Sequence, residues 1–140
     1  AIIRTAEICG VDAIIIPEKG SAKINATVAK TSAGAVFHLP IHQTNDLFIF
    51  MDKLKEFDIQ IAATVAGQQN NIYQTPFPKK NAIIIGSEGK GVRKNIVKLA
   101  DTKISIPQFG KVNSLNASVS AAIILYEIVR QKHYTLSVGK

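Results

Sequence analysis

Apolar and polar positions follow two alternating periods along the chain. Short, nearly continuous apolar runs recur at 13–17 (AIIIP), 35–41 (AVFHLPI), 59–65 (IQIAATV), 81–86 (NAIIIG) and 103–107 (KISIP). Each has the length and β-branched content of a buried strand. Helical spacing fills the intervals. Residues 1–9 put Ile2, Ala6 and Cys9 on one face and stop at Gly10. Residues 22–34 read as a helix ended by glycine. Residues 44–57 align Leu47, Phe50, Met51, Leu54 and Phe57, with Thr44 or Asn45 as the cap. Residues 91–100 form a further helix. A long closing helix spans 114–132, with Leu115, Val119, Ala122, Ile123, Tyr126 and Val129 as its buried stripe. The polar, proline-bearing stretch QQNNIYQTPFPKK at 68–80 reads as loop. There are no internal repeats.

Uninterrupted apolar strands alternating with helices predict an α/β fold with a mostly parallel sheet and helices on both faces. Such sheets bind ligands beyond the C-terminal ends of their strands. Three loops meet that description: after Val65 (AGQQ), after Ile85 (GSEGKG) and after Ile106 (PQFGKVNSLN).

Composition narrows the picture. At 140 residues, 46% hydrophobic and 19% charged, the chain suits one domain with its own core. No apolar run approaches the length of a membrane span, and no secretory signal pattern opens the chain. Cys9 is the single cysteine, so an internal disulfide is excluded and a reducing, cytoplasmic setting is expected. The net charge of +7 invites an anionic partner, with nucleic acid first in line. Lys30, Lys90, Arg93, Lys94, Lys98 and Lys111 are expected on or near the rim that these loops form. The chain opens without Met and in helical spacing, so an N-terminally shortened domain is the expectation.

The glycine loop GSEGKGV at 86–92 tests two phosphate-binding patterns and fails both. A P-loop needs lysine and a hydroxyl after its last glycine; here Lys90 precedes Gly91, and Val92 and Arg93 follow. A dinucleotide fingerprint needs G-x-G-x-x-G, and this loop runs G-x-x-G-x-G. Glu88 would repel a phosphate but suits a cation or a hydroxyl donor. In the third loop, Ser114 and Asn116 stand where the last helix begins. Ser114 has the character of an N-cap and Asn116 of an early-turn residue. Arg4 sits among apolar neighbours on the first helix. His38 and His42 are four apart, but Pro40 between them breaks any helix, so no metal pair of the H-E-x-x-H kind exists. His38 is expected in a strand and His42 in a loop.

Three segments together resemble the motifs of the SpoU (TrmH) family of RNA ribose 2′-O-methyltransferases, within the SPOUT superfamily. They are AIIRTAEICGVDAIII, NAIIIGSEGKGV and ISIPQFGKVNSLNASVSAAIILYE, in that order and over nearly the whole chain. The stretch GSAKINATVAKTSAGAVFHLPI is most similar to the branch that methylates guanosine in bacterial 23S ribosomal RNA. The resemblance implies a C-terminal deep trefoil knot, a rare exception to ordinary topology. It also implies an S-adenosyl-L-methionine pocket built by the three loops, and a homodimer whose active site is shared between subunits.

Residue roles carry over by motif. Gly86, Ile106 and Leu115 match positions whose backbone holds the cofactor, and Thr64, Ala66 and Gly67 would line the same pocket. Arg4 matches the arginine proposed to activate the ribose 2′-hydroxyl. Glu88, Ser114 and Asn116 match polar positions at the catalytic centre. Lys90, Arg93, Lys94 and Lys111 would meet RNA phosphates at the rim. The resemblance calls for no metal. This chain departs from the pattern in lacking the asparagine-bearing lead before Arg4 and the strand ahead of the first helix, and in having Gln108 where the family has Met after Ile-Pro. Because a guanidinium holds its proton to above pH ~12, Arg4 is expected to orient the nucleotide and stabilise developing charge rather than act as a base. The rival readings are a transfer-RNA 2′-O-methyltransferase, a non-catalytic RNA-binding module, and a nucleotide binder of the P-loop or Rossmann kind.

Overall fold

The structure, a computed structural model, describes residues 1–18 and 25–134. Helix α1 (Ile2–Ile8) leads to strand β1 (Ile14–Pro17). Helix α2 (Ala26–Thr31) is capped by Asn25, whose side chain accepts the Val28 N–H. The first residues of the helix expected from 22 lie outside the described residues. A single 3-10 turn at Ala35–Phe37 then precedes strand β2 (Ile41–Thr44).

That turn corrects the expected strand at 35–41. Phe37 and His38 donate their N–H groups locally, to Gly34 and Ala35, at 3.0 Å each. Those donors are therefore unavailable to a sheet. The ladder begins only after Pro40, whose carbonyl accepts the Ile14 N–H at 2.9 Å. His38 closes the turn and His42 lies in β2, the reverse of the expected placement.

Helix α3 (Leu47–Glu56) is capped by Asp46, one residue beyond the expected caps, through a 3.1 Å bond from the Ile49 N–H. Met51 is its buried anchor, whereas Phe57 stays 69% exposed past the helix end. Strands β3 (Gln60–Thr64), β4 (Asn81–Ile84) and β5 (Thr102–Ile104) follow, with helix α4 (Lys94–Leu99) between β4 and β5 and α5 (Ala117–His133) last.

Among the described residues all strand pairs are parallel, as expected, but they form two sheets rather than one. β1 pairs with β2, and β4-β3-β5 form a separate three-stranded sheet. The central strand β3 sends successive side chains to opposite faces. Ile61 packs with Met51 of α3 and Ile96 of α4. Ala62 packs with Ile104, Ile124 of α5 and Ile72. Helices thus cover both faces of this sheet.

The stripe expected on α5 is also corrected. Ala121, Ile124 and Glu127 are buried, while Val119 and Tyr126 are 41% and 53% exposed. Apolar residues surround this helix, so periodicity alone does not select a face. The buried line includes Glu127 because it is fully paired. Arg130 donates to both carboxylate oxygens at 2.9 and 2.7 Å, and Gln131 donates at 2.9 Å. Gln131 also donates to the Thr75 carbonyl and accepts the Phe77 N–H, holding the 75–77 loop against α5.

The end of β5 is held from two sides. Ile104 faces β3 and accepts the Val65 N–H at 2.8 Å. Ser105, one residue on, points to the opposite edge. There it pairs with Asn71, giving its N–H to Asn70 and accepting from Ile72, each at 2.9 Å. Its hydroxyl donates to the Gln68 carbonyl at 2.7 Å. The chain leaving β3 therefore arches over the end of β5 and returns on its far side.

Candidate active site

A cleft of about 420 Å³ opens at the C-terminal ends of β3, β4 and β5, a volume that suits a cofactor-sized ligand. The three loops singled out in the sequence converge on it: 64–66, 85–92 and 104–115. The Thr64 hydroxyl donates to the Ile84 carbonyl at 2.9 Å and ties the tips of β3 and β4 together at its floor.

The glycine loop takes its shape from backbone constraints. Gly86 lies so close to Gly91 and Val92 that a Cβ would overlap their backbone atoms. Ser87 and Gly91 form an antiparallel bridge, with the Gly91 N–H donating to the Ser87 carbonyl at 2.9 Å. Gly91 reaches this bridge at φ +68, where a side chain would be strained. The loop folds back on itself and presents Glu88 and Lys90, both exposed, along the cleft.

Of the expected cofactor residues, Thr64, Ala66, Gly86, Ile106 and Leu115 line the cleft, and Gly67 lies just outside the lining. Of the expected catalytic residues, Glu88 and Ser114 line it. Asn116 does not. It is the N-cap of α5, accepting the Val119 N–H at 2.8 Å and the Ser118 hydroxyl at 3.0 Å. The cap is therefore Asn116 rather than Ser114. Arg4 is exposed on α1, which packs against α5 and the 3-10 turn, and it does not line the cleft of its own chain. Lys90 is on the wall. Arg93, Lys94 and Lys111 are exposed and lie outside the lining. Among the described residues no group of three or more His, Cys, Asp or Glu side chains is placed to hold a metal.

Ser105, Asn113 and Ser120 line the cleft without having been singled out, and Gln108, noted only as a departure from the family pattern, lines it too. Ser105 carried a legible sign: it is the one polar residue between Ile104 and Ile106 in a strand that is otherwise apolar at that end. Its burial at 6% exposure, with three bonds to the arch, explains why a hydroxyl belongs there.

A parallel α/β sheet with a small-residue cleft at its strand ends, floored by an arched-over strand, defines a ligand-binding α/β domain. The model of the SpoU rRNA methylase family matches residues 1–126. The chain belongs to that family. A Staphylococcus epidermidis protein assigned to the TrmH family of tRNA/rRNA methyltransferases is 41% identical over 133 residues, which is 95% of this chain and 53% of that protein. Among solved structures, an A. aeolicus TrmH/SpoU tRNA modifying enzyme is 33% identical with a TM-score of 0.84, over 94% of this chain and 66% of its own. The SpoU methyltransferase AviRb of Streptomyces viridochromogenes, solved in complex with AdoMet, superposes with a TM-score of 0.87 at 28% identity, over 94% of this chain and 54% of its own. The chain spans about half the length of the curated relatives it matches.

Proposed function

We propose that the 140 residues form a methyltransferase domain that transfers a methyl group from S-adenosyl-L-methionine to a ribose 2′-hydroxyl of RNA. The observation that carries this reading is the convergence of all three family-type loops on one cleft. The cleft fits the donor in chemistry as well as volume. Ile85, Val92, Ile106 and Leu115 offer apolar wall to a planar base, and Glu88 offers a carboxylate to an ammonium or a hydroxyl. When bound, S-adenosyl-L-methionine supplies an activated methyl on a sulfonium.

The residues of the chain supply position and charge. The Thr64–Ile84 hydrogen bond and the Ser87–Gly91 bridge shape the turns at 64–66 and 86–91 into a cradle, which lowers the ordering cost when a ligand enters. Ser114, which lines the cleft, would hold a ribose hydroxyl. Asn116 serves by fixing the start of α5, which carries Ala117 and Ser120 into the wall. Arg4 acts in the cleft of a second copy. Its absence from its own cleft, and the exposed Val119 and Tyr126 on α5, support a homodimer with a shared site. The arch of 65–72 over β5 supports the trefoil knot.

RNA enters over Lys90, Arg93, Lys94 and Lys111, whose charge gives affinity without sequence choice. A guanosine of 23S ribosomal RNA in the cytoplasm is the substrate the sequence favours. A transfer RNA is the second reading, supported by the tRNA modifying enzyme among the structural neighbours. The test is mapping of ribose methylation in both RNA classes in cells with and without the gene. Loss of one 23S guanosine methyl supports the first reading, loss of a tRNA methyl the second, and no loss in either refutes both. Within the mechanism, Arg4→Lys keeps the charge and removes the planar fork. Activity should fall at least about tenfold, and full activity would refute the orienting role.

A further inference from the structure

The loop that follows the cleft wall carries an aromatic ring with nothing on it. Phe109 is 98% exposed, more than any other large apolar side chain among the described residues. Burying such a ring is favourable, and leaving it in water forgoes that gain. The ring sits between Gln108, which lines the cleft, and Gly110, beyond which Asn113 and Ser114 return to the wall. Lys111 is two residues away, and Lys90 stands on the cleft itself. The chain as a whole carries +7.

We propose that Phe109 is a stacking platform for an unpaired nucleobase of the RNA substrate, next to the nucleotide whose ribose enters the cleft. Single-stranded RNA recognition commonly combines aromatic stacking with basic residues that track the phosphates. A ring on the rim, flanked by lysines, has that composition. A ring-to-ring contact with a second copy is the poorer alternative, because it would bring the same lysines against these ones. The inference rests on the RNA reading above and adds to it a contact that charge alone does not supply.

The chain contains no tryptophan, so Phe109→Trp introduces a single fluorescent reporter at the ring. At 98% exposure the substitution leaves packing unchanged. Titration with single-stranded oligoadenylate should quench the introduced indole, and a duplex RNA of equal length should quench it much less. Phe109→Ala should weaken oligoadenylate binding about 5- to 100-fold, with an unchanged dependence on salt. Unchanged emission on saturation with oligoadenylate, or unchanged affinity of Phe109→Ala, would overturn the stacking role and leave the RNA reading intact. Shielding of the indole from acrylamide quenching without RNA would assign the ring to a second copy and overturn it too. Failure of the unsubstituted chain to bind any RNA would overturn the RNA reading itself, and the stacking role with it.

Discussion

The two sheets of this protein are built to different standards. In β4-β3-β5, Ile61, Ala63 and Ile104 are 0% exposed, and helices close both faces. In β1-β2, every residue of β1 is only half-buried, and His42 and Gln43 of β2 are exposed. The nearby 3-10 turn leaves Phe37 78% exposed. The cleft lies on the first sheet, its loops and the start of α5, while Arg4 belongs to α1, beside the 3-10 turn that precedes the second. A site that must hold a cofactor in fixed geometry rests on the part with a complete core. On the proposed reading, the part with open apolar surface would contribute Arg4 through contact with a second copy.

The largest expected effect that tests this contrast is on the core. Ile104→Ala should cost about 2–5 kcal/mol in urea unfolding, against about 1 kcal/mol for Ile15→Ala in β1. Equal losses would erase the difference between the sheets. Gly86→Ala should come next. Its Cβ meets backbone atoms that cannot swing aside, so a loss of about 1–3 kcal/mol is expected, with distortion of the cleft wall. Unchanged stability and an unchanged cleft ligand affinity would show that the close approach at Gly86 is not constraining.

A third test uses pH. The Arg130 guanidinium beside Glu127 holds its carboxyl below the ordinary value of 4.5, even though burial opposes this. The folded pKa is the lower one, so this contribution is present in full above the ordinary value. It is lost as pH falls through that value toward the lowered one. Urea midpoints should decline on the acid side, and Glu127→Gln should flatten part of that decline. An identical acid limb in the variant would remove Glu127 from the account. The smallest effect on stability is expected at Arg4. Being exposed, Arg4→Lys should change unfolding by no more than about 0.5 kcal/mol, even as methyl transfer falls. A large loss of stability would make Arg4 a packing residue instead.

The better-built sheet was also the more legible. The runs at 59–65 and 81–86 are apolar on both faces because both faces are covered, and the strands fall inside them. Their loops could be flagged as ligand-facing because parallel topology sends the C-terminal ends to one side. The run AVFHLPI was equally apolar, yet it turned, because local hydrogen bonds after Gly34 took its donors and Pro40 has none. On α5, polar Glu127 is buried and Gln131 half-buried since Arg130 and the 75–77 loop satisfy them. The Thr75 and Phe77 partners lie 56 and 54 residues away, outside any short window, whereas Arg130 is an i,i+3 partner that the helical spacing already contained. Asn116 illustrates the same limit in the site. Its motif position suggested chemistry, and its side chain also closes a helix end, a role the motif did not carry.

The central claim is that the cleft at the ends of β3, β4 and β5 holds S-adenosyl-L-methionine. Isothermal titration of the chain with S-adenosyl-L-methionine, ATP and NAD in parallel tests it most directly. The account predicts saturable binding of S-adenosyl-L-methionine, weakened by Gly86→Ala, and no binding of the other two. Binding of ATP or NAD in its place, or of S-adenosyl-L-methionine with full affinity after Gly86→Ala, would contradict it.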